Sequence, residues 1–181
     1  GLNATQLRGL TPEDMGELST TQVAAIAASQ LGGLPATDVA ALKPDQLAAL
    51  STAQLRALAP SQISALQSTQ VGGLSATQLA ALSSIQVGAL ASDALPALSA
   101  TQVAGFTSAQ LAGLSTTQAG SITGDQLSAL AVTQVGSLSG SFLSALTPTA
   151  FSALNATQVG ALSNTRIAAL TTTPRGVSTN R

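Results

Sequence analysis

One eight-residue pattern repeats without insertion or deletion along nearly the whole chain. A clear copy is SATQLAAL at 75–82, and the neighbouring octads at 67–74 and 83–90 read QSTQVGGL and SSIQVGAL. The octad tiles the chain from Asn3 as 21 copies that end at Leu170. Such a strict short period predicts a solenoid, in which each unit packs only on its neighbours. We therefore assign residues 1–170 to one repeat domain and residues 171–181 (TTTPRGVSTNR) to a polar tail or linker.

Each octad carries the signals of a short helix. Position 1 is Ser, Thr or Asn in 14 copies and position 4 is Gln in 15, which is the spacing of a capping box. Pro12, Pro44, Pro60 and Pro148 stand at position 2, the first helical position, where a missing N–H costs nothing. Positions 5 and 8 are apolar and lie three residues apart, so that they share one helical face. We expect each octad to form a helix of about two turns that ends at the next cap.

The fold class predicted by these signals is all-α. A single continuous helix is excluded because a Leu stripe repeating at every octad would rotate by roughly 80° per copy and leave no fixed buried face. A narrow β-solenoid is the alternative, since short strict repeats often build one. The Leu, Ala and Gln content and the apolar spacing of three favour the helical fold.

A second, longer period is visible at position 5 of the octad. Alternate copies hold mostly β-branched residues, as at Val71 and Val87, whereas the copies between them hold mostly Leu, as at Leu79 and Leu95. We read this alternation as two environments that recur at every second octad, and hence expect two octads per coil and about ten coils. Position 7 is Ala, Gly or Ser in all copies except Glu17, which predicts a close approach of neighbouring helices.

A few copies depart from the pattern. In the octad 91–98, Ala94 replaces Gln and Pro96 should shorten or kink the helix. We expect Phe142 and Phe151 to be packing variants rather than parts of a ligand site. Neither end shows the polar capping repeat that solenoids need for solubility. Either the array is a segment that joins neighbouring domains of a longer chain, or copies stack head to tail through their terminal coils, which would build filaments.

Composition narrows the possible functions. A net charge of −1 from six basic and seven acidic residues leaves no basic patch, so we expect no nucleic-acid partner. The chain has no His, Cys, Tyr or Trp, and Glu13 beside Asp14 is explained by helix capping. We therefore expect no catalytic, cofactor-binding or metal-binding residues, and no enzyme. No apolar run reaches the roughly 18 residues of a membrane span.

The string Leu-Ser/Thr-x-x-Gln-Leu/Val-x-x-Leu, present at 50–58 and 74–82, resembles repeats of two kinds of protein. It is similar to repeat tracts of large secreted bacterial surface proteins and adhesins, and to the short-helix repeats of the mesothelin and stereocilin family. The resemblance implies a superhelical solenoid with a role in cell-surface adhesion or scaffolding, and it brings no catalytic residues with it.

These observations lead to a ranked set of functional hypotheses. The first is a non-catalytic extracellular or cell-surface structural protein, a stalk or self-assembling filament subunit that could also be adhesive. The alternative is a repeat-type binding module that binds a peptide or a glycan along a regular groove. A weaker alternative is an ice-binding surface formed by threonines at position 3, namely Thr69, Thr77, Thr101 and Thr117.

Overall fold

The computed structural model describes residues 4–167, and their side chains from residue 5 onward. The predicted end of the array at Leu170 and the tail 171–181 lie outside the described residues. Every regular element in the described part is helical, which confirms the all-α solenoid of short helices. The first ten helices are α1 Ala4–Arg8, α2 Pro12–Glu17, α3 Thr20–Ala24, α4 Ala28–Leu31, α5 Ala36–Ala40, α6 Pro44–Ala48, α7 Thr52–Ala57, α8 Pro60–Ser64, α9 Ser68–Gly72 and α10 Ala76–Ala81.

The same pattern continues through the second half of the chain. A 3₁₀ helix at Leu95–Ala97 replaces the α-helix of the octad that contains Pro96, in agreement with the predicted interruption. The α-helices that follow are α11 Ser84–Ala89, α12 Ala100–Ala104, α13 Ser108–Ala112, α14 Thr116–Ser121, α15 Gly124–Ser128, α16 Val132–Ser137, α17 Gly140–Ala145, α18 Pro148–Ser152 and α19 Ala156–Gly160. Residues 164–167 are also helical.

Local cap chemistry sets where each helix begins and ends. In α10, the Ser75 hydroxyl accepts the Gln78 N–H at 3.2 Å, and Gln78 Oε1 accepts the Ser75 N–H at 2.8 Å. The helix ends at Leu82, whose extended backbone (φ −65°, ψ 149°) carries the chain to the next cap. Within residues 4–167 no residue has a positive φ, so the repeated stops need no glycine in the left-handed region.

Each coil contains three octads, and the predicted period of two octads is wrong. Helices pack on the helix three octads away, for example α4 on α7 and α7 on α10. The 21 octads of the sequence therefore correspond to seven coils rather than ten. The alternation at position 5 misled the prediction because it does not mark two environments. Leu79 and Val87 represent the two sets, and both are 0% exposed.

The core is a stack of leucine-rich layers inside the triangular coils. Position 5 is fully buried from Leu7 to Leu143, and position 8 is buried from Ile26 to Leu162. Phe142 is buried and Phe151 packs partly buried against this core, which confirms them as packing residues. Neighbouring coils approach closely where positions 6 and 7 meet. A Cβ built on Gly88 would lie 2.7 Å from the Gly113 carbonyl oxygen one coil away.

Candidate functional site

The most extensive polar arrangement in the described part of the chain is a row of glutamines at position 4 that joins successive coils. Gln110 shows the geometry. Its Oε1 accepts the Thr107 N–H at 2.8 Å, which caps its own helix. Its Nε2 donates to the carbonyls of Leu79 and Leu82 in the coil before, at 2.9 and 2.7 Å. One amide side chain therefore satisfies the start of one helix and the end of another.

The same bond recurs with a constant sequence offset. Between described residues, twelve glutamines donate Nε2 to the carbonyl 28 residues earlier, which is the position 8 carbonyl of the octad four copies before. These residues are Gln46, Gln54, Gln62, Gln70, Gln78, Gln86, Gln102, Gln110, Gln118, Gln126, Gln134 and Gln158. The offset equals one coil plus half an octad. Each bond therefore joins the start of one helix to the end of a helix in the coil before. We call this set of bonds the glutamine interlock.

Burial makes these bonds important to stability. Gln110 is only 2% exposed, and no buried side-chain nitrogen or oxygen within the described residues lacks a partner. A buried amide is tolerated because both its donor and its acceptor are used. Glutamate could cap the helix equally well but has no N–H to give, and Glu occurs at position 4 in none of the 21 octads. The lack of glutamate at position 4 indicates that the side chain there must donate a hydrogen bond, although the cross-coil bond was not predicted from the sequence.

One carboxylate, that of Asp14, caps a helix. The Thr11 backbone N–H lies 2.9 Å from Asp14 Oδ2 and the Thr11 hydroxyl lies 2.8 Å from it. The two hydrogen bonds, that of the backbone first, hold the pKa of Asp14 below its usual value. Between residues 4 and 167, no three carboxylates lie close enough together to hold a metal ion. The adjacent pair of Glu13 and Asp14 is thus placed at the start of α2, as expected for a dipole and cap role.

The outer surface is formed by position 3, which is exposed in every octad from Thr5 to Thr165. The four threonines predicted to form an ice-binding ladder fall on two rows. Thr77 and Thr101 lie one coil apart, whereas Thr69 and Thr117 lie two coils apart with Asp93 between them. The described residues therefore do not combine these threonines into one ladder.

Two exposed aliphatic residues interrupt this hydroxyl-rich surface. Ile85 at position 3 is 71% exposed and Val132 at position 2 is 41% exposed. Neither was predicted from the sequence to be a surface feature, although Ile85 is a large apolar residue at a position otherwise filled by Thr, Ser, Ala or acids. Isolated exposed apolar residues are common in proteins, but these two belong to the same row of stacked helices.

A small cleft lies near the amino-terminal end. Leu7, Arg8, Ser29, Gln30 and Leu34 line a volume of about 130 Å³. Ligand pockets usually measure roughly 300–1,000 Å³, so this cleft is below the size of a small-molecule site. The longest helices described have six residues, and none is long or apolar enough to cross a membrane.

Comparison with known proteins supports the repeat architecture. Residues 39–76 match the model of a family described as the ALTTAQ repeat. The match runs from α5 to the beginning of α10 and thus extends over more than one coil. A search of curated proteins found no match. Together with the stacked short helices, the family match identifies a tandem-repeat protein with an all-α solenoid fold.

Proposed function

We propose that this chain is a non-catalytic structural protein of the cell exterior, a stalk or filament subunit whose coils stack head to tail. The observation that carries the proposal is the glutamine interlock, because the same polar bond and apolar layer join successive coils along the array. A surface that repeats along one direction can be extended by a further copy of itself, and a head-to-tail contact of this kind grows filaments.

The outermost described coils expose parts of that interface. In the last coil, Phe151 and Val159 are partly buried and Ile167 is 39% exposed, although position 5 is fully buried in the interior. In the first coil, Gln22 is exposed and its Oε1 accepts the Ser19 N–H at 2.8 Å. Within the described residues its Nε2 donates to no carbonyl. A stacked second copy would cover the apolar residues and supply that carbonyl.

The octad register specifies the contact between copies. If a second copy continues the repeat after Leu170, its Gln22 falls at the same offset from Leu162 as Gln110 does from Leu82. We infer a hydrogen bond from Nε2 of Gln22 of the partner subunit to the carbonyl of Leu162. This bond reproduces the interior interlock at the contact between copies.

The surface composition and the sequence resemblance support an exterior location. Only 7% of the residues are charged, and the exposed position 3 is rich in Ser and Thr. Such a surface stays hydrated through hydroxyl groups, and its association depends on short-range packing rather than on long-range charge. The resemblance to bacterial surface and adhesin repeats favours the same location and adds adhesion as a role. Protease treatment of intact source cells tests it, and loss of the protein without lysis is the expected result.

Electron microscopy and sedimentation test the stacking. We expect the purified chain to form filaments that lengthen with concentration, and Gln22→Glu to shorten or abolish them without lowering the melting temperature. The carboxylate retains the cap to Ser19 but loses the Nε2 donor. Thr21→Glu is the matched control, since it adds the same charge at the adjacent exposed position and should leave the filaments intact. Discrete rods of wild-type protein at all concentrations would contradict stacking and favour a binding module. Thermal hysteresis in those rods would favour ice binding.

A further inference from the structure

Five successive helices of one stacked row form a part of the solenoid side without charged residues. This part, called face B here, consists of the octads that contain α8, α11, α13, α16 and α19, each of which packs on the next. Their residues (59–66, 83–90, 107–114, 131–138 and 155–162) include no Asp, Glu, Lys or Arg. The row begins with α2 and α5, whose octads hold Glu13, Asp14, Glu17 and Asp38 and lie outside face B. Ile85 and Val132, two of the three exposed large apolar residues in the described part of the chain, lie on face B, and the third, Ile167, lies in the last octad.

The two apolar residues are placed symmetrically on face B. Ile85 belongs to the octad of α11 and Val132 lies in α16, each one coil away from α13. Coils packed about 9 Å apart put them roughly 18 Å from each other along the face. Between them the exposed Ala109, in α13, has only a methyl group, so another backbone can approach there.

We propose that face B is a side-to-side interface between two copies of this chain that run antiparallel about a two-fold axis at α13. Rotation about that axis places Ile85 on the partner's Val132, and Val132 on the partner's Ile85. Both apolar residues are buried by the same isologous contact. A parallel arrangement would instead pair each residue with its own copy.

The lack of charge on face B and the area of this face favour a second copy of the chain as its partner. A face without charges meets itself without repulsion and without the cost of desolvating an ion. Face B is five coils high, with a spacing of about 9 Å between coils, and roughly 13 Å wide along one octad. Its area is therefore about 600 Å² per copy, so a dimer would bury about 1,200 Å² in total. That total lies at the lower end of stable interfaces, so we expect a weak, concentration-dependent dimer.

This interface is separate from the proposed head-to-tail stacking, since it uses the side of the solenoid instead of its ends. The experiment therefore uses position-specific cross-linking, which does not respond to stacking. The chain has no cysteine, so Ile85→Cys and Val132→Cys can each be introduced as a unique thiol. A disulfide forms only when the Cα atoms come within about 7 Å.

The two cysteine variants are oxidised mildly, alone and as an equal mixture. We expect at least tenfold more covalent dimer in the mixture than in either variant alone, because antiparallel pairing brings the thiol of one variant only to the thiol of the other. The matched control is Thr69→Cys with Thr117→Cys, which are also exposed and two coils apart, but on another row. Equal yields for the face B and control mixtures overturn the proposal. Strong dimerisation of each single variant with itself overturns the antiparallel arrangement.

A non-covalent readout completes the test. In the Gln22→Glu background, which removes the proposed end contact, Ile85→Glu should shift the sedimenting species from dimer to monomer. Thr117→Glu adds the same charge at the same octad position on a different row and should leave the dimer in place. A monomeric parent at high concentration, or an equal effect of the two substitutions, overturns the side-to-side interface whatever happens to filaments.

Discussion

Replacing one buried glutamine by glutamate tests the glutamine interlock with almost no change in side-chain shape. In Gln110→Glu, the new carboxylate can still accept the Thr107 N–H, but the donor to Leu79 and Leu82 is lost. The Leu79 carbonyl keeps the Leu82 N–H as a partner at 3.2 Å. The Leu82 carbonyl receives no backbone N–H from the described residues, so it would be left buried and unpaired.

The expected loss of stability follows from two effects. An unpaired buried carbonyl costs about 1–3 kcal/mol. A carboxylate facing carbonyl oxygens at a site that is 2% exposed adds a penalty that brings the total to about 3–5 kcal/mol at neutral pH. Burial and the carbonyl dipoles should raise the pKa of this new carboxyl above about 4.3, the value for an exposed Glu. The loss should therefore be smallest near pH 4 and should grow as the pH rises through the raised pKa.

Urea unfolding followed by circular dichroism at several pH values measures this effect. Gln22→Glu is the matched control, because Gln22 has the same cap but is exposed and donates to no carbonyl within the described residues. We expect its free energy of unfolding to stay within about 0.5 kcal/mol of the wild-type value. If Gln110→Glu and Gln22→Glu unfold at the same urea concentration, the cross-coil bond does not stabilise the fold.

Three further perturbations test the packing and the caps. Gly88→Ala should overpack the contact between coils and lower the free energy of unfolding in urea by about 1–3 kcal/mol. Gly160→Ala is the control, because no atom lies within 4 Å of the added Cβ, and it should be neutral or stabilising. Leu82→Ala should cost about 2–5 kcal/mol, and an unchanged denaturation midpoint would contradict the burial of that side chain. Thr11→Val removes the hydroxyl from Asp14, so the carboxyl pKa measured by NMR titration should rise but stay below normal, because the backbone N–H remains. Cap stability from Asp14 is present above its unfolded pKa and is lost as the pH falls through the lower folded pKa.

The sequence was sufficient to predict the helices because their limits are set locally. The cap of α10 involves Ser75 and Gln78, three residues apart, and both partners are visible within one octad. Burial at positions 5 and 8 followed for the same reason, since a helix of about two turns has one apolar face. The interruption at Pro96 was also local, and it was predicted correctly.

The size of the coil could not be obtained in this way because its determinants are distant in sequence. The partner of Gln110 Nε2 is the Leu82 carbonyl, 28 residues earlier, and nothing within one octad specifies that distance. The alternation of Val and Leu at position 5 suggested a coil of two octads, but the interior accepts either residue at full burial. The side on which Ile85 and Val132 lie together became apparent only with the period of three octads.

One exception at position 4 shows how the cap and the residue at position 1 are coupled. Asp38 occupies this position in the octad that begins with Pro35, and proline has no N–H for a side-chain oxygen to accept. A glutamine there would lose its cap, and the shorter aspartate instead accepts the Thr37 hydroxyl at 3.2 Å. In an interlocked octad such as that of Gln110, the glutamine at position 4 bonds both to position 1 of its own octad and to a carbonyl in the coil before. A substitution of any glutamine of the interlock acts on two helices at once, so its effect cannot be inferred from helix propensity alone.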